Sequence, residues 1–81
     1  MSKSVLEPTV RVLFESGAGN NITIHPEPDE RGERWSISFK VGEEDFGIAS
    51  KREKVRTWAS LNSAVHWLKR LGVKDVSLKI A

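Results

Sequence analysis

The stretch RWSISFKV, residues 34–41, alternates without interruption. Trp35, Ile37, Phe39 and Val41 fall on one side of an extended chain, while Arg34, Ser36, Ser38 and Lys40 fall on the other. Successive side chains of a strand point to opposite faces of a sheet, so this spacing predicts a strand with one buried and one wet face. GEED at 42–45 is a turn, and FGIAS at 46–50 returns as a second strand with Phe46 and Ile48 inward. A hairpin over 34–50 is the seed of the fold.

Toward the N-terminus, PEPDERGE at 26–33 is a polar loop with two prolines, and NITIH at 21–25 is a strand with Ile22 and Ile24 inward. SGAGNN at 16–21 reads as a turn, because glycine and asparagine accept positive φ at little cost. TVRVLFE at 9–15 again alternates, with Val10, Val12 and Phe14 opposite Arg11, Leu13 and Glu15. That period predicts another strand, hairpinned onto 21–25. Residues 1–8 are expected to fray, leaving one domain over 9–81.

Toward the C-terminus, KREK at 51–54 is a charged turn and VRTWAS at 55–60 an extended lead-in. Ser60 is a natural N-cap, since its hydroxyl can accept from an otherwise orphaned backbone N–H. Leu61, Ala64, Val65, Leu68 and Leu71 then form one face of an α-helix. Lys69 and Arg70 suit the last turn, and Gly72 supplies the residue just past it. DVSLKI at 75–80 closes the chain as a strand with Val76, Leu78 and Ile80 inward. The whole predicts an α+β fold: a mostly antiparallel sheet of four to six strands with one α-helix on one face, in the order β-β-β-β-(β)-α-β. One helix covers one face, so the other must be polar and wet.

Eighty-one residues with 38% hydrophobic and 30% charged side chains make a lean core on a polar surface. There is no cysteine, which excludes disulfides, thiolate zinc sites and a cysteine nucleophile. The start of the chain lacks an apolar signal segment and no run is long enough to span a membrane, so a cytoplasmic protein is expected. The net charge of +2 hides a polarity. Residues 1–50 hold five basic and nine acidic side chains, a balance of −4, whereas residues 51–81 hold eight and two, a balance of +6. Such asymmetry points to an anionic partner unless folding cancels it.

Enzyme chemistry finds little support in these residues. The His-x-Glu of HPEP lacks the downstream cysteines that zinc deaminases need. His25 and His66 have no chelating spacing, and a solvated histidine is the better account of His66. SGAGNN has no following lysine or helix to make a phosphate cradle, and Glu43 and Glu44 sit in a turn where carboxylates are simply hydrated. No catalytic residue, metal or cofactor is expected.

Binding is the better fit. Asn62, His66, Lys69 and Arg70 cluster opposite the buried helix stripe, with Trp67 flanking it. Lys51, Arg52, Lys54 and Arg56 crowd the segment just before the helix, with Trp58 beside them. Lysine and arginine neutralise phosphates and an aromatic ring can stack a base, so these types suit nucleic acid. The candidate site is Lys51, Arg52, Lys54, Arg56, Trp58, His66, Lys69 and Arg70. The competing account makes the cations solvated edges and the tryptophans core. A second candidate surface is the outer sheet face, with Arg11, Thr23, His25, Arg34, Ser36, Ser38 and Lys40. Trp35, which heads the alternating row, is read as core.

Residues 48–80, IASKREKVRTWASLNSAVHWLKRLGVKDVSLKI, resemble the ending of small plasmid-borne partition-associated proteins of the ParC family. The likeness lies in a basic segment, an Arg-Thr-aromatic step, a Ser-Leu pair, an alanine-centred helix, then Leu-Gly and a last strand. It implies a non-enzymatic accessory factor of a plasmid or mobile element that acts near DNA or beside a partition ATPase. No catalytic residue carries over. The alternative is a protein-interaction module, a homodimer through an edge strand or an inhibitor of a larger complex, without nucleic-acid binding. Neither reading involves a membrane or a small-molecule substrate.

Overall fold

The hairpin expected at 34–50 is the centre of the sheet. The computed structural model describes residues 3–79. Their order is β1 (Lys3–Leu6), α1 (Glu7–Glu15), β2 (Asn20–Pro26), β3 (Trp35–Val41), β4 (Glu44–Ala49), α2 (Leu61–Arg70) and β5 (Ser77–Leu78). The fold is α+β, with one five-stranded sheet in the order β1-β4-β3-β2-β5. β2, β3 and β4 form an antiparallel meander in which Ile24 faces Ile37 and Phe39 faces Phe46.

The sheet is mixed rather than mostly antiparallel, because both outer pairs, β1 with β4 and β2 with β5, are parallel. The reason is connectivity. Each edge strand is joined to the meander through a helix that crosses the sheet face, and a crossover of this kind delivers a parallel strand. Lys3–Leu6 thus pair with β4 in a segment where the sequence pattern predicts no element.

The largest departure is at 9–15, expected as a strand and found within α1. Val10, Leu13 and Phe14 also fit the i, i+3, i+4 spacing of a helix face, and Val10 is fully buried with Leu13 and Phe14 packed beside it. Val12, inward in a strand reading, is 63% exposed. Pro8 in the first turn favours the helix, since the N–H it lacks would be unpaired there anyway. The hairpin between 9–15 and 21–25 therefore does not form, and a second helix shares the sheet face with the first.

α2 starts and stops where its sequence signals lie. The Ser60 hydroxyl accepts from the Ser63 N–H at 3.1 Å, Lys69 and Arg70 fill the last turn, and Gly72 has φ +84°. Ala64 and Leu68 are buried. They join Val10, Ile24, Ile37, Phe39, Ile48 and Trp58 in one core between the two helices and the sheet. The strand expected over 75–80 shrinks to β5, with Val76 and Leu78 exposed rather than inward. Ile80 lies outside the described residues.

The other sheet face is polar, as expected of an uncovered face. Ser4, Gly47, Ser38, Thr23 and Ser77 form one row of small side chains across all five strands. His25 and Ser38 share a 2.6 Å hydrogen bond on this face.

Candidate functional site

The chain between β4 and α2 is fixed by its backbone. The Arg56 N–H donates to the Ile48 carbonyl at 2.7 Å, and Trp35 and Trp58 exchange backbone hydrogen bonds of 3.0 and 2.8 Å. This short zipper lays residues 56–58 along the start of β3, next to the N-terminal turn of α2. Trp58 drops into the core at 5% exposure. Its ring meets Trp67 of α2 at 5.1 Å between centroids, and the Arg56 guanidinium lies 4.8 Å from the Trp58 ring centroid.

Around these rings lies a groove of about 660 Å³. Arg34, Arg56 and Arg70 converge on it, with Asn62, His66 and Trp67 along its helical wall, and no carboxylate lines it. Arg34 is held in position by Thr57, donating from Nε to Oγ1 at 3.0 Å and from Nη2 to the carbonyl at 3.3 Å. A planar guanidinium anchored on neutral oxygens keeps its full charge and leaves its remaining N–H groups for a ligand.

The acidic half of the sequence cancels this charge only in part: Glu7 pairs with Arg56, while Arg34 and Arg70 make no ion pair among the described residues. Asp29 of the 26–33 loop is bound by Arg31 at 2.7 Å, and Glu53 lies 3.4 Å from the same guanidinium. The Arg31 side-chain hydrogen bond holds the Asp29 carboxyl below the usual carboxylate range, and Asp29 in turn pushes Arg31 up. Glu27 accepts from Ser36 at 3.2 Å. Of the eight cations between Lys51 and Lys79, only Arg56 makes an ion pair among the described residues, with Glu7 at the start of α1.

Four of the eight candidate residues, Arg56, Trp58, His66 and Arg70, meet in this groove. Lys51 and Arg52 line an adjoining hollow of about 410 Å³ with Leu6, Glu7 and Pro8, which shares Arg56 with the groove. Lys54 and Lys69 are exposed and line neither. Trp58 is floor rather than contact surface, because burial and the Arg56 lid leave its ring faces covered. Arg34 joins from the strand read as an outer-face row. Of that second candidate surface, Thr23, His25, Ser36, Ser38 and Lys40 do share the outer sheet face, but Arg11 lies in α1, and Lys40 is the one cation left in the row, 3.9 Å from Asp45. No signal in the sequence places Arg34 beside α2, since that depends on the long-range Trp35–Trp58 pairing.

Comparison with known proteins adds no assignment, since no family model, curated protein or solved structure matches the chain.

Proposed function

We propose that this chain is a non-enzymatic binding protein whose partner is nucleic acid, held through its phosphates in the groove beside α2. The observation that carries the reading is the convergence of Arg34, Arg56 and Arg70 on one concave surface without a lining carboxylate. A cleft of one charge sign concentrates counter-ions, and arginine forks match phosphate oxygens in pairs. Asn62 and His66 add neutral hydrogen-bonding groups to the same wall. The more specific role of a plasmid or mobile-element partition factor rests on the resemblance of residues 48–80 alone.

The test is a fluorescence-anisotropy titration of labelled DNA and RNA with the wild-type chain and an Arg34→Glu/Arg70→Glu variant. Arg70 is exposed, whereas Arg34 also bonds Thr57, so the single Arg70→Glu variant is measured alongside and circular dichroism checks the fold of both. Micromolar binding at low salt that the double variant loses supports the proposal. No binding of any nucleic acid by the wild type sinks it.

A second reading has its own observation. β1 is an edge strand that ends at the hollow lined by Leu6 and Pro8, with Leu6 46% exposed. A free edge beside exposed apolar surface suits strand addition by a protein partner or a second copy. A dimer mass in solution together with no nucleic-acid affinity favours it.

A further inference from the structure

We infer that the nucleic acid taken by this groove is double-stranded DNA, with α2 lying in its major groove and the arginines gripping one backbone ridge. The inference rests on the nucleic-acid reading above and narrows it. It starts from what the aromatic side chains do. Proteins that hold single strands offer aromatic rings on which successive bases stack. This chain has six aromatic side chains, three tryptophans and three phenylalanines, and every one is buried or half-buried. Phe14 and Phe46 pack on the fully buried Phe39, with ring centroids 5.1 and 5.8 Å apart. Trp58 and Trp67 pack on each other, and Arg56 covers Trp58. Trp67, half-buried on the groove wall, is the one ring that meets the groove beside Trp58, so no row of open rings is offered on which successive unpaired bases could stack.

The outward face of α2 is built differently. Asn62, His66 and Arg70 follow at i, i+4 and i+8 and are exposed, and the helix contains no acidic residue. These are side chains that donate to base edges and phosphates. The helix has ten residues, about 15 Å of length, and an outer diameter of about 10–12 Å that matches the roughly 12 Å width of a B-form major groove. The deep, narrow major groove of an RNA duplex does not admit it. With α2 in the DNA groove, the concave surface beside it receives the neighbouring phosphate ridge between Arg34 and Arg56 on one side and Arg70 on the other.

The experiment compares one labelled mixed-sequence DNA duplex, its two separated strands and the RNA duplex of the same sequence, at one salt concentration. Duplex DNA should bind at least about ten-fold tighter than either strand or the RNA duplex. Asn62→Glu and His66→Glu, both on the exposed helix face, should weaken duplex binding and leave the melting temperature unchanged. Equal or tighter binding of the single strands overturns the inference while leaving the proposed function standing. Equal or tighter binding of the RNA duplex overturns the placement of α2. Absence of binding to every form removes the proposed function and this inference together.

Discussion

α1 and α2 pack on the same sheet face and contribute to the same core, yet they are built in different ways. α2 has a hydroxyl N-cap, cations in its last turn and a left-handed glycine just past its end. α1 has Leu6 at its N-cap without a side-chain hydrogen bond, no cation in its last turn, and valines at positions 10 and 12 that favour a strand as readily as a helix. α1 is a helix because its position over the sheet rewards Val10, Leu13 and Phe14 together, and because it must cross from one edge of the sheet to the meander. The contrast extends to charge. α1 carries Glu7 and Glu15, whereas α2 has no acid and presents its outer face to the cationic groove.

If α2 is the stronger anchor, Leu68→Ala should cost about 2–5 kcal/mol in urea unfolding, a large part of the stability of a domain this size. Val10→Ala, which removes two methyl groups from the equivalent place on α1, should cost about 2 kcal/mol. Reversal of that order would break the comparison.

The end of α1 is held by a close approach. A Cβ on Gly19 would sit 2.6 Å from two ring atoms of Phe14. Gly19→Ala should therefore displace the Phe14 ring from Phe39 and cost about 1–3 kcal/mol. Gly47→Ala is the internal contrast: its Cβ would meet the Ser4 hydroxyl at an ordinary 3.7 Å, and the melting temperature should hold or rise slightly.

Capping sharpens the comparison further. Ser60→Ala should lower stability by about 1 kcal/mol and speed amide exchange at Ser63, the N–H it leaves without a partner. No equivalent cap exists on α1 to remove. The smallest effect belongs to the loop. Because Arg31 lowers the Asp29 pKa in the folded state, the pair's contribution is present above the unfolded carboxylate value of 3.8 and is lost as pH falls through the lower folded value. Carbon-detected NMR titration should place the Asp29 midpoint below 3.8, and Arg31→Ala should raise it toward that value without fully restoring it, since the backbone N–H of residue 31 still donates to the carboxylate.

The same difference explains which parts of the molecule were legible in its sequence. The β3–β4 hairpin, α2, its caps and the polar back face are written in local periods and local chemistry. Val10, Val12 and Phe14 at 9–15 satisfy period 2 while Val10, Leu13 and Phe14 satisfy period 3.6. Pro8 tips the choice locally, and the two crossovers settle it. The parallel edges follow from those crossovers, so they were hidden for the same reason. In the site, Arg56, His66 and Arg70 announce themselves by clustering in sequence. Arg34 comes from elsewhere in the chain, and Trp58 looks like a contact residue until its backbone pairing with Trp35 puts it in the core.

The central claim is that Arg34, Arg56 and Arg70 are gathered on one surface that binds phosphates, with Arg34 and Arg70 outside any ion pair among the described residues and Arg56 exchanging Glu7 for a phosphate. Its most direct measurement is the dependence of DNA affinity on salt. With three phosphates met, the log–log slope should be about −3, and Arg70→Glu should reduce its magnitude by about 1. A flat slope, or a slope unmoved by that substitution, would contradict the account.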